Sequence, residues 1–156
     1  MPPQARARTG LEIDLANHAI RFVRSFDAPP DLVFKAWTTP EHVRCWWHAA
    51  GKPLAACEID LRPGGAFRFV SADHPDQPFT GVYREITPPC RLVFEALNST
   101  GSVLFDSKDG KTRMTVEIAC KSAEQLEQFI AMGVDAGTSQ TLDNLVAYIQ
   151  RQGVSA

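Results

Sequence analysis

The hydrophobic period of this chain changes near residue 120. Between residues 54 and 119, apolar side chains recur at every second position, in short runs parted by turn-forming residues. After Ser122 they recur at every third or fourth position for several turns. The first period belongs to half-buried strands and the second to an amphipathic helix. Each such element has one apolar face to bury, so a chain written this way must lay a helix against a sheet.

The strand runs separate cleanly. "LAACEIDL" sets Cys57, Ile59 and Leu61 on one face, and "RPGG" turns the chain, with Gly64 able to take positive φ. "AFRFV" returns with Phe67 and Phe69 together. "FTGVYREI" alternates Val82, Arg84 and Ile86 against Tyr83 and Glu85, and Pro88 and Pro89 end it. "RLVFEAL" and "SVLFDS" bring Phe94 and Phe105, with "NSTG" as the turn between them. Asp109-Gly110 is the strongest hairpin signal, a type I′ pair. Strands joined in series by tight turns run antiparallel, which predicts one meander over residues 54–119.

Upstream, "AIRFVRSFDAPP" puts Ile20, Phe22, Arg24 and Phe26 on one strand face, and "LEIDLANH" either extends that strand or forms a separate edge. "PDLVFKAWTT" and "TPEHVRCWW" read as two abutting short helices, the second with Thr39 as N-cap and Pro40 at the first helical position. Downstream, Ser122 and Gln125 form a capping-box pattern. The stripe that follows runs Leu126, Phe129, Ile130, Gly133, Gly137, Thr141, Leu145, Ile149. Glycine costs a helix about 1 kcal/mol relative to alanine. Gly133 and Gly137 therefore mark either a break near residue 133 or a place where bulk is excluded. The order of elements predicts an α+β fold, with a long C-terminal helix across the concave face of a curved antiparallel sheet.

Composition narrows the partners. The chain has 156 residues, 44% hydrophobic and 22% charged, with a formal net charge of −2 and both signs scattered. That fits one domain over residues 11–156, and neither nucleic acid nor an anionic membrane is a suitable partner. The start, "MPPQARARTG", has arginines but no following apolar stretch, and reads as a disordered tail over residues 1–10, not a signal peptide. With no apolar run of membrane-spanning length, the expected compartment is the cytoplasm. Cys45, Cys57, Cys90 and Cys120 have no paired spacing, so reduced thiols are expected. His42, Cys45 and His48 make an H-x-x-C-x-x-H run, but no carboxylate or second cysteine completes a metal set. No cofactor or metal is expected.

Several segments resemble, in order, the START-like family of activator-of-heat-shock-ATPase homologues within the SRPBCC superfamily. These are "FDAPPDLVFKAWTTPEHVRCWW", "IDLRPGGAFRF", "FTGVYREITPPCRLVF", "DGKTRMTV" and "GTSQTLDNL". The resemblance covers about residues 20 to 150. It implies a helix-grip fold, as in birch-pollen-allergen-like proteins, with a cavity between the sheet and the final helix. The chain departs from the family pattern twice. His48-Ala49-Ala50 follows the paired tryptophans where the family usually has Gly-Pro, and Thr138 follows Gly137 where it often has tryptophan. The second departure would enlarge the cavity.

The candidate site is drawn from these elements. Trp37, Trp46 and Trp47 are the chain's only tryptophans. Trp37 reads as core. Trp46 and Trp47 point about 100° apart on a helix end, so one can be core while the other meets a ligand. Phe67, Phe69, Phe94 and Phe105 supply an aromatic wall, with Gly133 and Gly137 opposite it. Tyr83 and Glu85 share a strand face and could orient a ligand or act as acid and base. The alternative for them is cross-strand ion pairing on the wet face.

The reading is a non-enzymatic domain, a monomer or homodimer, that holds a small apolar molecule between sheet and helix. Two alternatives stand beside it. One is a protein-interaction module acting on a chaperone ATPase, as the family name suggests; the other is a lyase or cyclase using Tyr83 and Glu85. Binding requires an apolar cavity, interaction a filled core and an exposed patch, and catalysis an ionisable group inside the cavity.

Overall fold

The computed structural model describes residues 10–47 and 54–153. The expected tail therefore lies almost wholly outside the described residues, as do His48 and the residues after it to Pro53. Two strands open the chain, β1 (Leu11–Asp14) and β2 (Ala19–Phe26). They pair as an antiparallel hairpin, so "LEIDLANH" is a separate edge strand and its turn.

The elbow follows as α1 (Pro30–Thr38) and α2 (Pro40–Trp46). Thr39 between them is extended, with φ −108° and ψ 120°. Proline clashes with a helical residue before it, so Pro40 forces Thr39 out of the helix and then starts a new one. The Thr39 side chain makes no capping bond.

The meander is then β3 (Ala56–Ile59), β4 (Ala66–Val70), β5 (Phe79–Thr87), β6 (Arg91–Ala96), β7 (Ser99–Lys108) and β8 (Lys111–Ala119). One eight-stranded sheet results, in the order β1-β2-β8-β7-β6-β5-β4-β3. β2 pairs antiparallel with β8, from Ala19 opposite Ala119 to Phe26 opposite Thr112. The elbow thus carries the chain from β2 to the far edge of the sheet.

At the β7–β8 turn, Asp109 and Gly110 take φ of 55° and 78°, as a type I′ pair requires. A Cβ on Gly110 would meet nothing within 4 Å, so substitution there acts through the backbone alone. Gly110→Val should cost about 1–3 kcal/mol, because a β-branched residue resists positive φ. Urea unfolding would measure it, and an unchanged midpoint would refute the turn.

The β6–β7 turn differs from the expected "NSTG". Leu97 and Asn98 make it, with φ of 55° and 60°, and Ser99–Gly101 already pair with β6. Asparagine enters the left-handed region readily and leucine rarely, which hides this turn from turn propensity.

Two helices close the chain, α3 (Ala123–Ala131) and α4 (Val134–Gly153). The Ser122 side chain caps α3 as the pattern requires, while the reciprocal bond from Gln125 goes to Lys121, one residue before the N-cap. Gln125 N–H donates to Ser122 Oγ at 3.1 Å, and Gln125 Oε1 accepts from Lys121 N–H at 2.6 Å. Gln125 Nε2 also reaches the carbonyls of Leu97 and Asn98, tying α3 to the β6–β7 turn. Gly133, at φ 81°, breaks the helical run, so of the two readings of that glycine the break is the observed one.

α4 crosses the inner face of the sheet. Arg24 holds it there from β2, donating to Asp143 Oδ1 at 3.0 Å, Ser139 Oγ at 2.8 Å and Ser139 O at 3.2 Å. The core lies under the elbow and the C-terminal half of α4. Ile20, Phe22, Val33, Val43, Trp46, Leu92, Val103, Met114, Leu142 and Leu145 are all essentially inaccessible there.

Candidate functional site

Apart from the Arg24 anchor to Ser139 and Asp143, the N-terminal half of α4 stands off the sheet. A cavity of about 450 Å³ separates them. The sheet side is Phe69, Phe79, Phe94, Ala96, Gly101, Val116 and Ile118, and the helix side is Phe129, Val134, Gly137, Thr138, Thr141 and Leu142. Trp37, Trp47 and Leu54 close the elbow end. The β4–β5 loop adds Ser71, Asp73, His74 and Gln77, and the β6–β7 turn adds Leu97 and Ser99.

Glycine makes the space on the helix side. A Cβ on Gly137 would meet nothing within 4 Å. The Gly137 carbonyl still has a partner, accepting from Thr141 Oγ1 at 2.9 Å. The helix therefore passes over open space without an unpaired group.

The adjacent tryptophans part as helix geometry demands. Trp46 is 0% exposed, its Nε1–H donates to Ala36 O at 2.9 Å, and its ring lies edge-on to Trp37 at 5.0 Å. Trp47 is half-buried, stacks on Phe79 at 5.3 Å and meets Phe69 edge-on at 5.0 Å. Trp37 does both jobs, buried to 6% exposure yet lining the cavity, with Nε1–H donating to Met114 Sδ.

Of the residues expected at the site, the structure brings Trp37, Trp47, Phe69, Phe94 and Gly137 to this cavity. The structure places the others elsewhere. Trp46 is core. Phe67 and Tyr83 lie deeper, packed ring to ring at 5.2 Å and facing a gap of about 10 Å³. Phe105 is covered by Phe34 of α1, at 5.4 Å. Gly133 is the helix break.

Glu85 fails for a reason of register. β5 bulges between Tyr83 and Glu85, so Tyr83 pairs with Phe94 while Glu85 pairs with Val93. The extra residue flips the alternation and turns Glu85 to the outer face. There it pairs with Arg91 at 3.4 Å and accepts from Thr87 Oγ1 at 2.9 Å. Burial pushes the Tyr83 phenol well above its ordinary pKa, which suits a neutral core hydroxyl and not a base. The acid–base pair of the lyase or cyclase alternative is not assembled, and Glu85 instead makes the cross-strand ion pair.

The H-x-x-C-x-x-H run is also spent on structure where it is described. His42 Nδ1 bonds the Tyr148 hydroxyl of α4, and Cys45 Sγ donates to Glu41 O at 3.3 Å. Burial raises the Cys57 thiol to about 11, leaving it protonated at neutral pH. Sequence reasoning missed the β4–β5 loop. Its signal was present: "SADHPDQP" is polar and links strands whose Phe69 and Phe79 both face inward.

Solved structures share this architecture. A Nitrosomonas europaea protein is 22% identical with a TM-score of 0.78, over 87% of this chain and 96% of that one. A Mycobacterium smegmatis protein is 23% identical with a TM-score of 0.78, over 91% and 97%. An AHSA1-like protein from Aeromonas hydrophila is 23% identical with a TM-score of 0.69, over 85% and 94%. No curated protein matches the chain. The sequence profile of the activator of Hsp90 ATPase homolog 1-like proteins matches residues 27–150. With the elbow, the meander and most of α4 inside that range, the chain belongs to the activator of Hsp90 ATPase homolog 1-like family.

Proposed function

We propose that this chain binds a small, largely apolar molecule between the sheet and α4, without catalysing a reaction on it. One observation carries the reading: a cavity of about 450 Å³ beneath a helix that holds a glycine where bulk would fill it. That volume falls within the usual range for ligand pockets of about 300–1,000 Å³. Aromatic and aliphatic groups form most of its wall. The polar side chains Ser71, Asp73, His74 and Gln77 come from one loop, so the ligand's polar end would lie toward that loop.

The family name speaks of a chaperone ATPase. An interaction module would favour a filled core and a continuous exposed apolar patch. Among the described residues, the large exposed apolar side chains, Leu15, Leu61, Leu97, Leu104 and Met132, stand on separate turns and strands. The empty space supports the ligand reading over that one.

Titration with dodecanol tests it. Trp47 sits at the wall, so binding should shift tryptophan emission, and Trp47→Phe should abolish most of the shift while retaining binding by calorimetry. No saturable heat from dodecanol or from any shorter alcohol would count against a ligand site. Native mass spectrometry of protein from its own host should then show a retained small molecule.

A further inference from the structure

We propose that Gly101 sets the size of ligand this site accepts, by letting the Phe94 ring lie flat on the sheet. The inference rests on the binding reading above. Phe94 and Gly101 are direct cross-strand partners on β6 and β7, and both line the cavity. A Cβ on Gly101 would fall 2.6 Å from both Cε2 and Cζ of the Phe94 ring. Contacts that short are not tolerated, and the three atoms nearest the new Cβ all belong to the Phe94 ring. The ring would therefore move and the strands would stay.

Phe94 has one direction open to it. Behind it the Phe67 ring stands edge-on at 5.6 Å, and the gap among Phe67, Tyr83, Leu92 and Phe94 holds about 10 Å³. That is at most one water, far less than a displaced ring needs. The 450 Å³ cavity, which Phe94 and Gly101 both line, has that room. Any side chain at residue 101 thus lifts Phe94 into the ligand's space. Glycine inside a strand often marks a close approach of this kind. Gly81 plays the same part under Phe67, but a Cβ there would also meet Glu95 O at 2.5 Å, so its substitution would disturb backbone.

The test is a calorimetric series of primary alcohols, hexanol to tetradecanol, against the parent, Gly101→Ala, and Gly101→Ala with Phe94→Leu. Each buried methylene is worth about fourfold in affinity. A lifted ring that removes room for a pair of them should weaken the longest alcohols by roughly tenfold or more, with hexanol nearly unchanged. The double variant removes the ring and should recover the long-chain affinities, which a general loss of stability would not do. A parent that binds no alcohol overturns the binding reading and this inference with it. A parent that binds, with the same length dependence in Gly101→Ala, overturns this inference alone. So does a Gly101→Ala protein that fails to fold: if Phe94→Leu restores it the ring has no open side, and if not the obstacle is not the ring.

Discussion

Trp46→Ala should remove about 3–5 kcal/mol of stability, and Trp47→Ala about 2 kcal/mol or less. Each variant removes the same side chain, so composition changes equally in the two. What differs is the surroundings. Trp46 is fully buried among Ala36, Trp37 and the elbow, and its Nε1–H is satisfied by Ala36 O, so its loss leaves a void and an unpaired carbonyl. Trp47 already borders empty space on one side, so its truncation enlarges a cavity that exists. For a domain of this size the Trp46 change should lower Tm by roughly 10 °C or more. Binding should rank them the other way. Trp47→Ala removes the ring stacked on Phe79 at the cavity wall and should weaken dodecanol by roughly tenfold. Equal melting losses in the two variants would contradict the division of labour between core and site.

The broad architecture was legible because it rests on period and punctuation. Alternation located the strands, Asp109-Gly110 located a turn, and Pro40 located the corner of the elbow. The position of the cavity was expected from the family resemblance and from Gly133 and Gly137 in mid-stripe, and of the two glycines Gly137 lines it. Its family membership came from several motifs in register.

The site was read less well, and for specific reasons. A bulge at Arg84 adds one residue to β5, and a period-two argument cannot survive an inserted residue. Glu85 was lost to the outer face in that way. Gly81 and Gly101 lie in strands where their work is done by a ring on the neighbouring strand, so each is informative only as half of a cross-strand pair. Phe105 faces inward as alternation requires, but α1 reaches it first. A strand face can be assigned from sequence; what covers that face depends on helix placement, which is a tertiary fact.

Gly137→Leu should raise stability and abolish binding together. The helix gains about 1 kcal/mol from replacing a mid-helix glycine, and a leucine side chain moving into apolar surroundings is worth about 1.5–3 kcal/mol when fully buried. No atom stands within 4 Å of the new Cβ, so the gain is not offset by a clash. Thr141 can still donate to the residue 137 carbonyl. The isobutyl group would then occupy the space facing Phe94 and Val116, where the apolar part of a ligand would sit. A rise of several degrees in Tm should accompany a loss of dodecanol affinity of tenfold or more. The pairing of the two effects is the informative part. A site that is structural packing loses stability when overfilled, whereas a site kept open for a ligand gains it. If Gly137→Leu unfolds the domain, helix and sheet already touch in solution at this point, the space is not held open, and the interaction-module reading takes precedence over ligand binding.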